Sequence, residues 1–516
     1  MLWALLTLAI AQSAICHDAA TAYDCAVAQV ERQEFAAAID TLTTQVLATA
    51  PANLKALNLL GIALTSAGRA DEAAARFQQA LEIDSNFTPA RKNLAINEFA
   101  RGKLAEAQRD FEQVLARAPD DEVTHLHLGE IAFQRNQPRD AVAHYEKAGA
   151  RVSQNPVWRD HYAASAFDAG VMLGRAGAYR EAAESFAKAE RAGYKDRYAV
   201  GYNQVLMLVN AGDATSATAA IRIADGLIAQ GPAMRKAELY SVVAQAYLKT
   251  ERIKEAYDAL REATRLEPEA VDHYVDLAMI CVDHQNFDLG LEIVGIGLQH
   301  RPESSILHLQ RGVLYAMKGS IEQAAAAFEQ ASKVAPDDPV PYVAQSMIWM
   351  QTGQAAKAVE VLRARTATSA QQRDAVLNYA LGVALLRAGA TPDDAAGDEA
   401  TNAFASAVRL NPEFPQARAE LGKLLLKRGD TEGAIAHLEK AVALDPENAA
   451  PAYVLAQAYR KRGDVDRARE LLQRVSTINT RERGDDPDHE LKRVIIRIVR
   501  DGAATKANGS APETQR

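Results

Sequence analysis

The chain holds few cysteines for its length. Cys16, Cys25 and Cys281 are the three among 516 residues, which excludes a disulfide framework and a zinc site with four cysteine ligands. Cys16 and Cys25 can pair with each other only if the mature protein keeps both. Cys281 falls at an apolar position of a predicted helix, so we expect a buried, unreactive side chain there.

Aromatic residues are also scarce, and basic residues are fewer than acidic residues. Aromatics make up 6% of the chain, against 48% hydrophobic residues that include many alanines. Alanine has the highest helix propensity and permits close helix contacts, so packed helices are favoured over sheets. Acidic residues outnumber basic residues by 67 to 58, for a net charge of −9. This balance argues against a general nucleic-acid-binding protein, which would be basic.

The apolar run at the amino terminus, MLWALLTLAIAQSAIC, is too short for a membrane span. It covers about fifteen residues, whereas a spanning helix needs about twenty, and Thr7, Gln12 and Ser13 interrupt it. We therefore predict a signal peptide over residues 1–15, with small residues at Ala9–Ala11 for cleavage.

This prediction makes the protein an exported one, periplasmic or associated with the envelope. The stretch SAIC is similar to a lipoprotein attachment box, with Ile15 as a departure, so lipidation is the alternative to cleavage. Membrane contact is expected only through this terminus. If the segment is not a signal, the protein would be cytoplasmic.

Residues recur at a spacing of 34 over nearly the whole chain. The series are Gly68 and Gly102; Ala73, Ala107 and Ala141; Phe77, Phe111 and Tyr145; Pro268, Pro302 and Pro336; Gly319 and Gly353; Pro412 and Pro446; and Gly429 and Gly463. A fixed period of about 20 to 50 residues indicates a repeat architecture, in which each unit buries its apolar face against its neighbours.

The pattern within one unit resembles the tetratricopeptide repeat, whose Leu-Gly, Tyr, Ala, Phe and Pro stand at set offsets. The unit at 54–87 carries Leu57, Leu60, Gly61, Leu64, Gly68, Ala73, Phe77 and Ala80. The resemblance implies an all-α fold: a right-handed α-α superhelix, or solenoid, of stacked antiparallel helix pairs with a concave groove.

About thirteen such units cover most of the chain. They open near Ala19, Leu54, Thr88, Glu122, Ala163, Tyr198, Ala237, Val271, Ser305, Pro339, Ala375, Pro415 and Ala449. We expect units at residues 19–161, units with longer helices at 162–236, further units at 237–480, a capping helix at 485–501 and a disordered tail at 502–516. The segment 485–501 is amphipathic, and a membrane-surface helix is the alternative there.

Each fixed position has a physical reason. Gly68 permits the turn after the first helix, and Asp71 stands in the first turn of the second helix, where the dipole favours negative charge. Gly61 and Ala73 are small because the paired helices cross closely, and Phe77 is large because it fills the gap to the next unit.

Three places depart from the spacing. Extra residues precede the unit at Ala163, the second helix of the unit at Tyr198 is longer, and the turn after Gly389 is extended. We expect a surface bulge or a lengthened helix at each. Asn155-Pro156 and Gly231-Pro232 are the predicted joints between sub-arrays.

The sequence contains no motif of an enzyme or a metal centre. It lacks His-Glu-x-x-His, a cysteine pair at ligand spacing, a phosphate loop and a Gly-x-Ser-x-Gly elbow, so no catalytic residue, metal or cofactor is expected. His125 and His127 are two residues apart and should point to different helix faces. His308 should be a core or half-buried histidine, and His144 an ordinary surface residue.

In tetratricopeptide repeats the groove is lined chiefly by the second, fifth, ninth and twelfth residues of each first helix. The resemblance therefore places apolar side chains there: Ile96, Phe99, Phe133, Phe167, Val171, Met279, Leu309, Val313, Met347 and Met350. An apolar trough for a peptide is one interpretation, since methionine adapts to varied apolar partners. Burial of the same residues against neighbouring helices is the other.

Basic residues replace apolar ones near the carboxyl end, at Lys423, Lys427, Arg460 and Lys461. They suit an acidic peptide or a free carboxylate, or they only complement the dipoles of their helices. The family's carboxylate clamp needs Lys at the fifth and Asn at the ninth place. Lys92 meets the first requirement, but Ile96 breaks the second, so binding of chaperone tails is not implied.

Two functions are consistent with these observations. The first is a non-catalytic scaffold that binds a protein or peptide segment in its groove and mediates complex assembly. The alternative is a structural component of an envelope or secretion machinery that engages partners through its outer face or its terminal helix. The sequence does not identify the partner.

Overall fold

A computed structural model describes residues 21–232, 235–367 and 374–481. This part of the chain forms helices and contains no β-strand. The segments predicted as signal peptide (1–15), capping helix (485–501) and disordered tail (502–516) lie outside the described residues. Cys16, whose pairing with Cys25 the sequence left open, also lies outside them. The chain divides between residues 234 and 235 into two compact units.

The amino-terminal unit contains six helix pairs in its described residues. The pairs are α1 (Ala22–Glu31) with α2 (Phe35–Thr41, extended through the π-helical Leu42–Val46 to Leu47–Thr49), α3 (Leu54–Ser66) with α4 (Ala70–Ile83), α5 (Thr88–Ala100) with α6 (Leu104–Leu115), α7 (Glu122–Gln134) with α8 (Pro138–Ala148), α10 (Pro156–Arg175) with α11 (Tyr179–Ala192), and α12 (Arg197–Asn210) with α13 (Ala214–Ala229). The short helix α9 (Ala150–Gln154) lies between α8 and α10 in the sequence.

The carboxy-terminal unit contains seven pairs in its described residues. They are α14 (Ala237–Lys249) with α15 (Ile253–Leu266), α16 (Val271–Asp283) with α17 (Phe287–His300), α18 (Ser305–Lys318) with α19 (Ile321–Val334), α20 (Pro339–Gln351) with α21 (Ala355–Thr366), α22 (Ala375–Arg387) with α23 (Ala395–Leu410), α24 (Pro415–Lys427) with α25 (Thr431–Leu444), and α26 (Ala449–Arg462) with α27 (Val465–Arg481).

The prediction of an all-α solenoid of stacked helix pairs is confirmed, and ten of the thirteen predicted unit starts are the first residue of a helix. The largest difference is α10, which begins at Pro156 instead of Ala163. The extra residues there lengthen the helix, because Asn155 caps it by accepting a hydrogen bond from the Val157 backbone N–H at 2.8 Å and Pro156 suits a first turn. Asn155-Pro156 therefore starts a helix, whereas Gly231-Pro232 lies just before the division between the units.

Most first helices end where a glycine takes a left-handed conformation, and Gln33, Asn136, Glu251 and Gln285 take this conformation after the others. Gly68 has φ of 77° and Gly102 has φ of 74°, values that side chains rarely adopt. Several first helices begin with a side-chain cap; the Asp121 carboxylate, for example, accepts from the Thr124 backbone N–H at 2.8 Å. Capping and the glycine turn together set the length of each hairpin.

A glycine in the first helix faces an aromatic ring in the second. A Cβ atom at Gly129 would lie 2.9 Å from the ring of Tyr145, and one at Gly382 would lie 2.7 Å from the ring of Phe404. The Phe77 ring lies over Gly61 of its own pair, and the buried cluster around it extends to Leu94 of the next pair. Each ring therefore closes its own hairpin as well as the gap to its neighbour.

Consecutive first helices contact one another within each compact unit. Such contacts join α3 to α5, α16 to α18 and α20 to α22, while second helices of consecutive pairs make no comparable contact in the described residues. The first helices therefore line one face of each stack and the second helices the other.

Candidate binding face

We define the first-helix face as the side chains at the second, fifth, ninth and twelfth positions of each first helix. Each compact unit has its own such face, because consecutive first helices are neighbours there. All but three of the predicted groove residues lie on this face. Lys427 and Lys461 stand one position beyond the twelfth, and Val171 is the sixteenth residue of α10, because that helix begins at Pro156. The burial of these side chains determines which part of the face a partner can reach.

Four of the predicted residues in the amino-terminal unit are half-buried. They are Ile96, Phe99, Phe133 and Val171. The fifth, Phe167, is only 5% exposed, because its ring stacks on Tyr194 at a centroid distance of 4.5 Å and meets Phe186 edge-on at 5.3 Å. Phe167 is therefore a packing residue and offers no open surface.

Histidines cover one side of the two half-buried phenylalanines. The Phe133 ring stacks on His161 with 4.0 Å between centroids, and Phe99 meets His127 edge-on at 5.3 Å. His127 also stacks on Phe111 at 5.2 Å. Stacking fixes the orientation of Phe99 and Phe133, so the face presents ordered aromatic edges.

A buried carboxylate supports this aromatic region from below. Glu130, 7% exposed, accepts a hydrogen bond from the Tyr145 hydroxyl at 2.7 Å and lies 3.0 Å from Nδ1 of His161. Burial and the neighbouring carboxylate raise the pKa of Tyr145, which keeps the phenol a donor. The charge of Glu130 is therefore used within the fold and does not face a ligand.

The histidines behave as structural groups. His125 and His127 point to different neighbours, as predicted. His144 is half-buried, with its Nδ1 atom 3.0 Å from Nδ1 of His125, so the expectation of an ordinary surface residue is wrong; the packing of α8 on α7 brings the two rings together. Burial lowers the pKa of His127 and of His144. His308 is half-buried, as predicted, and lies 2.9 Å from the Pro302 carbonyl oxygen.

In the middle of the carboxy-terminal unit the first-helix face is closed. Leu309, Val313 and Met347 are 6%, 1% and 7% exposed, and Met279 and Met350 are half-buried. Every residue from Pro341 to Trp349 in α20 is buried. The helix is thus enclosed by its neighbours on all sides, and no methionine-lined trough is open along it.

The face opens again at α24 and α26. Lys423, Lys427, Arg460 and Lys461 are all exposed, and Tyr453 at the fifth position of α26 is 49% exposed. At the other end of this unit, Leu248 is 37% exposed at the twelfth position of α14. The sequence interpretation missed Tyr453 and Leu248, although the positional rule that selected the other residues would have included both.

The four cations differ in their local partners. Lys423 pairs with Glu420 at 3.1 Å, and the Lys461 ammonium donates to the Leu426 carbonyl oxygen at 3.3 Å. Lys427 and Arg460 make no ion pair or side-chain hydrogen bond within the described residues. Dipole complementation accounts for Lys461, which contacts the Leu426 carbonyl at the end of α24, where the Gly429 backbone N–H also donates. Arg460 has no side-chain partner among the described residues.

A carboxylate is half-buried in α16 at the other side of the closed region. Burial, together with the charge of Asp272, raises the pKa of Asp276 to about 6. The ionised side chain is poorly solvated there. Asp276 therefore destabilises the fold at neutral pH.

Cys281 and the possible metal ligands among the described residues remain to be placed. Cys281 is 3% exposed and unpaired, as predicted, and burial raises the pKa of its thiol, which disfavours the nucleophilic thiolate. Within the residues that the structure describes, no three His, Cys, Asp or Glu side chains are grouped as ligands for a metal. No helix in that same part of the chain combines the length and the apolar character of a membrane span.

Three family models, each described as a tetratricopeptide repeat, match the chain. One matches residues 98–164 and 425–483, the second residues 23–86 and 397–449, and the third residues 237–269. No curated protein matches the chain in sequence.

Several solved structures are similar in fold. Yeast Tom70 is 16% identical with a TM-score of 0.42, covering 89% of this chain and 97% of its own. The Cut9 and Hcn1 hetero-tetramer of APC/C is 14% identical with a TM-score of 0.37, covering 91% and 95%. MamA is 21% identical with a TM-score of 0.29, covering 34% of this chain and 97% of its own. Similarity at this level does not extend to function.

Proposed function

The chain belongs to the tetratricopeptide repeat family, and we propose that it is a non-catalytic scaffold that binds a segment of a partner protein on its first-helix face. The partner would be held as an extended or helical segment, and the scaffold would thereby bring proteins together in a complex.

The observation that carries this proposal is the uneven burial of one face. Packing between helix pairs buries the apolar stripe of the first helices, so apolar side chains that stay exposed on the first-helix face are not needed for the stability of the stack. Tyr453 and Leu248 are large side chains of this kind, 49% and 37% exposed. Single exposed apolar side chains are common on protein surfaces, so the proposal depends on the position of these two on the first-helix face.

Site-specific photo-cross-linking in the native cells tests the proposal. A benzophenone amino acid would replace Tyr453 or Leu248 on the first-helix face, and Ile296 or Val334 on second helices as matched controls, since these are 42% and 37% exposed. We expect one recurring partner attached at the first-helix positions and none at the controls. Equal yields on both faces would contradict the proposal.

The alternative, a part of an envelope or secretion machinery that binds through its outer face, rests on a different observation. Ile83 and Ile296 are 46% and 42% exposed on second helices, where solenoid packing does not need them. Cross-links recurring at Ile296 with none at Tyr453 would favour this alternative.

We also propose export, on the strength of the apolar amino-terminal run alone. Mass measurement of the amino terminus of the protein isolated from its cells tests this. A chain that still begins at Met1 in the cytoplasmic fraction would contradict it.

A further inference from the structure

We infer that the ends of α24 and α26 form a binding site for an acidic segment of the partner protein, with Tyr453 as its apolar contact. This inference rests on the proposed function and specifies the chemistry of the ligand. It follows from where the open part of the first-helix face lies and from which charges remain there.

The geometry brings the cations of the two helices to one place. The Lys461 ammonium donates to the Leu426 carbonyl oxygen at 3.3 Å, so the last turns of α24 and α26 touch. Lys427 follows Leu426 directly, and Arg460 precedes Lys461. Two exposed cations without an ion pair in the described residues therefore flank this contact.

The charge of the site contrasts with that of the chain. The chain as a whole carries −9, and three other cations near this site are engaged: Lys423 with Glu420, the half-buried Arg428 with Asp398, and Arg462 with Glu432. Lys427 and Arg460 remain available for a ligand. A ligand carboxylate would complete the pairing that the fold leaves unmade.

An aromatic side chain stands on the same face one to two turns away. Tyr453 is 49% exposed at the fifth position of α26, and Gln457 at the ninth position is exposed between it and Arg460. The row therefore offers an apolar contact, an amide and a cation in sequence. Because the residues Pro341–Trp349 of α20 are buried, a peptide bound at this site would not extend along the first helices in the centre of the unit.

The test uses the full chain and a fluorescein-labelled peptide of alternating glutamate and leucine, followed by fluorescence anisotropy. We expect binding that weakens as salt is added. The double variant Lys427→Glu with Arg460→Glu should bind about tenfold more weakly. Lys440→Glu, which reverses an exposed cation on the second helix α25, is the control matched in charge to Lys427→Glu or Arg460→Glu alone; it should leave affinity unchanged, whereas each of those single variants should weaken binding. Tyr453→Ala should also weaken binding.

Each other outcome has a defined meaning. An equal effect of Lys440→Glu would reduce the binding to general charge attraction and overturn the inference. Equal binding of a glutamine-leucine peptide would overturn the acidic specificity while leaving the proposed scaffold function intact. Binding that appears only after Asp485, Asp486 and Asp488 are changed to Asn would assign the site to the chain's own acidic stretch instead of a partner.

Discussion

The contact between Gly382 and Phe404 permits a quantitative test of how a hairpin is held together. Replacing Gly382 by Ala would place a methyl group 2.7 Å from the Phe404 ring, closer than carbon atoms approach. The ring is fully buried and packs on Tyr379 with 5.8 Å between centroids, so it has little room to move. We expect the variant to be less stable than its helix propensity predicts.

Two opposing effects set the size of the change. Glycine inside a helix is about 1 kcal/mol less favourable than alanine, so the substitution gains that amount. Overpacking a filled core costs about 1 to 3 kcal/mol. Gly295→Ala in α17 supplies the propensity effect alone, because a Cβ there meets nothing within 4 Å. Gly382→Ala should therefore be about 1 to 3 kcal/mol less stable than Gly295→Ala.

Urea unfolding and hydrogen exchange of the segment 375–410 measure this difference. Phe404→Ala removes the ring, and in that background Gly382→Ala should become stabilising, as a double-mutant cycle would report. If Gly382→Ala proves as stable as Gly295→Ala, the ring does not fix the helix crossing and the packing argument for the fixed glycine fails.

Three further substitutions test the burial of Asp276, the helix cap at Asp394 and the burial of Met347 on the first-helix face. Asp276→Asn should raise the free energy of unfolding at pH 8 by up to about 3 kcal/mol. The pKa of Asp276 in the folded protein is raised from 3.8 to about 6, so the stability of the wild-type protein falls as pH rises through this window. Urea titrations below pH 4 should therefore show no advantage of the variant over the wild-type protein. Asp394→Ala should cost about 1 kcal/mol in thermal unfolding, since Asp394 accepts from the Gly397 backbone N–H at 2.7 Å, whereas the neighbouring Asp393→Ala should change little. Met347→Asp should cost several kcal/mol by burying a charge, while Lys423→Asp should leave a folded protein by circular dichroism.

The sequence predicts the helix pairs because the determinants are local. Gly68 and Gly102 take the left-handed turns that only glycine favours, and Thr88 or Glu122 begins its helix where the periodic pattern begins. The predicted unit start at Ala163 was wrong, because it allowed for extra residues after the unit at Glu122, whereas a spacing of 34 from Glu122 leads to Pro156, where Asn155 caps the helix.

The open and closed parts of the first-helix face could not be predicted in the same way. Phe133 and Phe167 are both phenylalanines on first helices, yet only Phe167 is almost fully buried, because Tyr194 stacks on it from the end of the next helix and Phe186 meets it edge-on. That contact depends on how the end of α11 lies against α10, which the spacing of residues along the sequence does not determine. The same limit applies to His144, whose neighbour His125 stands 19 residues earlier.

The enclosure of α20 has a consequence for how this chain can vary. An ordinary surface helix has one exposed side on which polar residues can be substituted with little effect on stability, but the segment Pro341–Trp349 has no exposed side. A saturation library over these nine positions should therefore tolerate only replacements of similar volume, while the same library over α26 should accept many. Substitutions, whether natural or designed, would then accumulate at the two ends of this unit. The middle of the unit would stay constant and would keep the distance between those ends constant.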